Sequence, residues 1–146
     1  MNYLELLDRS YKSVCEYTEG LSKMDFLISH LFEIATYDSG QSEIIGKKLF
    51  ETIDAINNRT TFDYIKDPEN YTWYLMFCNF SFFKGKIEWG TSVRGAWWTQ
   101  SHYKDRFIKF STCALIEEDG EQKTDWEFAI DEWIDFMKAC VEYSKQ

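Results

Sequence analysis

The single proline of this 146-residue chain, Pro68, stands where the hydrophobic periodicity changes. Before it, apolar residues recur at steps of three and four. Leu4, Leu7, Tyr11 and Val14, with Glu5, Arg9, Lys12 and Glu16 between them, describe an amphipathic helix that ends near Gly20. Ser22-Lys23-Met24-Asp25 has the form of an N-cap with an acid three residues on. It opens a segment through about Ala35 in which Met24, Phe26, Leu27, Ile28, Leu31, Phe32 and Ile34 leave little polar surface, so this second helix is expected to be central. Asp38-Ser39-Gly40 interrupts the pattern, and Ile45, Leu49, Ile53 and Ile56 give a third helical stripe that stops near Asn57-Asn58.

After Asp67-Pro68-Glu69-Asn70, a turn cluster in which proline disfavours helix at the residue before it, the pattern becomes one of strands. Tyr71 to Phe80 sets Tyr71, Trp73, Leu75 and Phe77 against Thr72, Tyr74, Met76 and Cys78, which suits a strand covered on both faces. Lys84-Gly85 fits a hairpin tip, and Lys86–Trp89, Ser92–Trp98 and Phe107–Glu117 supply three further strands, with Gly90 and Gly95 at bulges or close approaches. Glu117-Glu118-Asp119-Gly120 is a polar turn. Thr124-Asp125-Trp126-Glu127 has the form of a capping box, so Trp126, Ile130, Trp133, Met137 and Cys140 are expected on the buried face of a closing helix of about five turns. The expected architecture is a single α+β domain over residues 1–146: three N-terminal helices, an antiparallel sheet of about four strands, and one long C-terminal helix.

Composition limits what such a domain does. A chain of this length buries about 70% of the surface its unfolded form exposes, and with 45% hydrophobic residues it needs neither a disulfide frame nor a structural metal. Cys15, Cys78, Cys113 and Cys140 are far apart, without a CxxC pair, and read as buried thiols of a reducing compartment. Residues 1–9 mix acids with leucines and lack the basic start and apolar run of a signal peptide, so a cytoplasmic location is expected. The longest uncharged stretch, Asn70–Phe83, has 14 residues, whereas a spanning helix needs about 17 to 25, so no membrane partner is expected. Sixteen Lys and Arg against 25 Asp and Glu give a net charge of −9, which argues against direct nucleic-acid binding and for a basic protein partner.

No reaction is written in the motifs. His30 and His102 are the only histidines, and no HxxxH or paired Cys/His spacing builds a zinc site, so no metal or other cofactor is expected. There is no GxSxG elbow for a nucleophile. Gly90-Thr91-Ser92-Val93-Arg94-Gly95 lacks the GKS or GKT end of a phosphate loop. The acidic stretch lacks the ligand spacing of an EF-hand. No catalytic residue is assigned.

Two segments remain as candidate sites. Residues 84–109 hold six basic and two acidic side chains, net +4, whereas residues 1–83 carry −6 and residues 110–146 carry −7. Within the basic segment Arg94, Trp97, Trp98 and His102 form a candidate ligand site or interface, able to hold an anion, a base or a partner's carboxylate. The competing reading is that the tryptophans fill the core. The second candidate is acidic: Glu117, Glu118, Asp119, Glu121 and Asp125 fall within nine positions around Gly120 and are expected to meet a basic protein.

The C-terminal third runs from Phe107-Ile108-Lys109-Phe110 through Glu118-Asp119-Gly120 to Asp125-Trp126-Glu127 and a helix bearing Trp133 and Phe136. It resembles the end of several small bacterial immunity proteins, the antidotes to contact-dependent growth-inhibition toxins. The resemblance covers about 40 of 146 residues. It implies a cytosolic protein without catalysis of its own, an antitoxin-like inhibitor that binds and neutralises a cognate toxin such as a basic nuclease domain. Two alternatives stand beside it. One is a phage-type inhibitor that mimics nucleic acid, and the other an enzyme or small anionic-ligand binder built on Arg94, Trp97, Trp98 and His102.

Overall fold

A computed structural model describes residues 1–34, 40–58, 79–83, 86–90, 96–97 and 107–146. Helix α1 spans Tyr3–Cys15 and is opened by Asn2, whose side-chain oxygen accepts from Glu5 N–H at 3.2 Å. Its inner face buries Leu6, Leu7 and Ser10. Ser22 caps the next helix as its sequence predicts, accepting from Asp25 N–H at 3.0 Å. This helix does not stay α-helical. After α2, Lys23–Asp25, it widens into a π-helix over Phe26–Leu31, in which an N–H reaches five residues back instead of four. It ends on Glu33, held at φ 55°.

Helix α3, Gln41–Asn58, lies against α2 and the π-helix, and Gly46 makes that approach possible. A Cβ at this position would collide with the Met24 side chain. Strands β1, Asn79–Phe83, and β2, Lys86–Gly90, pair antiparallel from Asn79↔Gly90 to Phe83↔Lys86. A separate three-stranded sheet has the order β3-β4-β5, from Ala96–Trp97, Phe107–Ser111 and Asp125–Ala129. Helix α4, Ile130–Ser144, follows β5 directly and packs on α1, α3 and the sheet.

This corrects the expected architecture. The chain mixes helix and strand, but the strands of the described residues fall into a two-stranded and a three-stranded sheet instead of the single antiparallel sheet of about four strands on which the expected α+β domain was built. Among the described residues β1 and β2 pair only with each other, and the other sheet takes its last strand from a segment expected to begin the closing helix. The cause is visible in residues 125–128. Trp126 and Phe128 are buried while Asp125 and Glu127 are exposed, a period of two that overrides the capping-box spacing of Thr124 to Glu127. Of the strand expected at Tyr71–Phe80, Asn79 and Phe80 lie in β1, while residues 71–78 lie outside the described residues, as do the expected turns at 67–70 and 84–85. The strand expected over Phe107–Glu117 stops at Ser111.

An aromatic cluster joins sheet to helices. Phe128 stacks on Phe136 at 5.1 Å between centroids, Phe110 meets Trp133 at 5.7 Å, and Tyr3 of α1 sets its edge on Phe136 at 5.5 Å. Phe26, Leu27, Ile28 and Leu31 of the π-helix are fully buried, so the expectation of a central second helix holds although its hydrogen bonding differs. Each such side chain contributes roughly 1.5–3 kcal/mol of transfer free energy.

Candidate protein-interaction surface

Strands β4 and β5 are joined by an excursion of residues 112–124 that carries the acidic candidates. Its base is clamped twice. Ser111 Oγ donates to Asp125 Oδ1 at 2.6 Å, and Thr112 N–H donates to Thr124 C=O at 2.8 Å. Farther out, Ile116 and Gln122 bridge as isolated β residues, and Gln122 Nε2 donates to Cys113 C=O at 2.7 Å. At the tip Gly120 N–H donates to Glu117 C=O at 3.0 Å and Glu117 N–H to Glu121 C=O at 2.7 Å. Gly120 sits at φ 83°, the left-handed position this three-residue connection requires. Asp119 Oδ1 accepts from Glu121 N–H at 3.0 Å, which fixes the turn from within.

The excursion is also fastened to the body. Ile116 N–H donates to the buried Ser10 Oγ at 3.3 Å. Thr112, buried, donates through Oγ1 to His30 C=O at 3.1 Å and accepts from Ala114 N–H at 3.1 Å. Neither Ser10 nor Thr112 was singled out in the sequence reading. The readable signal for Ser10 is its place beside Leu6, Leu7 and Val14 on the apolar stripe of α1; Thr112 carries none.

Four of the five acidic candidates, Glu117, Glu118, Asp119 and Glu121, therefore lie together on one supported turn, and Asp125 stands at its root, at the start of β5. Glu118, Asp119, Glu121 and Asp125 are exposed and Glu117 is partly so. Between Phe110 and Ala129 the only basic side chain is Lys123. Its Nζ lies 3.9 Å from Glu117 Oε1 and 5.1 Å above the Trp126 ring, whose Nε1–H donates to Lys123 C=O at 3.0 Å. The exposed ion pair is worth at most about 1 kcal/mol, so it leaves the surface acidic. Between the turn and α1 lies a cleft of about 340 Å³ whose lining includes Leu6 and Arg9 of α1 and Ile116, Glu117, Glu118 and Asp119 of the excursion. Ionised carboxylates only accept hydrogen bonds, so the surface suits the guanidinium and ammonium groups of another molecule.

Of the other candidate group, Trp97 lies in β3, paired with Lys109, while Arg94, Trp98 and His102 lie outside the described residues. Among the described residues no group of three His, Cys, Asp or Glu side chains is placed to hold a metal, and no helix is long and apolar enough to cross a membrane. No family model, curated protein or solved structure matches the chain.

Proposed function

We infer that this chain is a cytosolic binding protein of the immunity type, which neutralises a basic toxin such as a nuclease domain by covering it with the acidic 117–125 surface. The observation that carries this reading is the display of Glu118, Asp119 and Glu121 on a turn fixed by hydrogen bonds at base, middle and tip. A charged surface that is already ordered loses little entropy on binding, and its field speeds encounter with an oppositely charged partner. Ile116, partly exposed beside the acids, supplies apolar area against which a partner's arginine or lysine stem packs.

The test is to search the neighbourhood of the gene for a toxin domain and to co-express that domain with this chain. Rescue of growth, with an association that weakens as salt rises, is the expected result. A toxic domain that remains active, or a complex indifferent to salt, would discard the reading.

A further inference from the structure

The segment from Phe26 to Ile34 has a sequence that fits an α-helix and hydrogen bonds that do not. Leu27, Ile28, Leu31 and Ile34 recur at α-helical spacing, yet Phe32 N–H donates to Leu27 C=O at 2.9 Å, five residues back, and Ile34 N–H to Ile28 C=O at 2.8 Å, six back. In an α-helix Ile34 N–H would use His30 C=O. Here that carbonyl accepts from the Thr112 hydroxyl, on the excursion that carries the acidic turn. Two features mark the segment as strained in this arrangement. Glu33 is the one positive-φ residue other than glycine among the described residues, and His30 Nδ1 is buried without a hydrogen-bond partner.

We propose that residues 26–34 have two hydrogen-bond registers, π and α, and that the Thr112 hydroxyl selects the π register by engaging His30 C=O, so that helix register and the seating of the 112–124 excursion are coupled. Both registers keep Leu27, Ile28 and Leu31 toward the core, because these positions already follow the α spacing. What changes is downstream. One residue of register turns the helix by about 100°. That turn re-aims Glu33, which lines a cleft of about 350 Å³ together with His30 and with Cys113 and Gln122 of the excursion. A molecule that lifts Thr112 from His30 thereby reshapes this cleft, whatever it binds on the acidic turn.

Couplings across hydrogen bonds, measured by NMR, identify the carbonyl that each amide uses. In the unaltered chain Phe32 couples to Leu27 and Ile34 to Ile28. Thr112→Val keeps the branched shape without the hydroxyl and is expected to move these couplings to Ile28 and His30, while Thr112→Ser keeps the original pairs. Original pairs persisting in Thr112→Val overturn the proposal. Should that variant not fold, amide exchange on the unaltered chain decides the matter. Phe32 and Ile34 are expected to exchange at least about tenfold faster than Leu7 and Ser10 of α1, and equal protection overturns it.

Discussion

The Tyr143 hydroxyl, near the end of α4, donates to Asp8 Oδ1 of α1 at 3.2 Å, and Lys12 Nζ stands 2.7 Å from the other oxygen of the same carboxylate. The Tyr143 ring is buried, and Lys23 lies over it at 4.9 Å. One carboxylate thus fastens the last helix to the first.

That contact has a signature at both ends of the pH scale. Burial, and then the Asp8 charge, push the Tyr143 phenol up from its ordinary value of 10.0. A raised folded value means its contribution is whole below the unfolded value and is lost as pH climbs through the folded one. Lys12, more than Tyr143, holds Asp8 below its ordinary 3.8, so the Asp8 contribution is present above that value and fades as pH falls beneath it. Tyr143→Phe is expected to cost about 1 kcal/mol at neutral pH and to flatten the alkaline loss. Urea melts across the pH range check both; an unchanged alkaline limb would count against the Tyr143 assignment.

Charge reversal at Glu118, Asp119 and Glu121 to lysine separates binding from folding. Glu118 and Glu121 are exposed, so each of those substitutions should change stability by no more than about 0.5 kcal/mol, whereas Asp119→Lys also removes the acceptor of Glu121 N–H and should cost about 1 kcal/mol. Partner affinity should fall by about tenfold or more and lose most of its salt dependence. Calorimetry for stability and titration at low and high salt for binding read the two effects separately.

Gly120→Ala tests the geometry of the same turn. At φ 83° alanine is strained, and a loss of about 1 kcal/mol or more is expected, with Gly120→Asn milder because asparagine tolerates the left-handed region. Thermal melts of the two variants side by side give the order; alanine no worse than asparagine would contradict the turn assignment.

In the aromatic cluster, Phe136→Ala removes a fully buried ring in contact with Phe128, Phe110, Trp133 and Tyr3. A cost of about 3–5 kcal/mol follows from the lost transfer energy and the cavity left behind. Denaturant titration measures it.

The thiols should separate by reactivity. Cys113 is exposed, Cys15 is half-buried, and Cys140 is fully buried with its thiol pushed well above the usual range by desolvation. Peptide mapping after brief alkylation is expected to find Cys113 modified before Cys15, and Cys140 only after unfolding.

What the sequence disclosed divides along these residues. The amphipathic face of the first helix, which ends at Cys15 and not near Gly20, the Ser22 cap and the acidic turn around Gly120 were legible because each rests on chemistry within a few positions of chain. The start of α4 was not. Trp126 satisfies a helical stripe with Ile130 and Trp133 as well as a strand alternation with Phe128, and its pairing with Phe110 across β4 and β5 decides between them. The π-helix was hidden for a similar reason, since its apolar spacing is α-like and its widening coincides with a hydroxyl 82 positions away. The five acids could be grouped from sequence alone because they are local, while their support from Ser10 and Thr112 is not.

The clamps Ser111 to Asp125 and Thr112 to Thr124 close the excursion at its root, next to a ladder whose inner residues, Phe110 and Trp126, are already buried. Glu118 and Glu121 therefore behave as replaceable positions on a turn that Asp119 and Gly120 hold in shape. Their charges can be exchanged without disturbing the strands that present them. A scaffold of this kind lets recognition be rewritten at two side chains while the turn and the strands keep their own folding instructions.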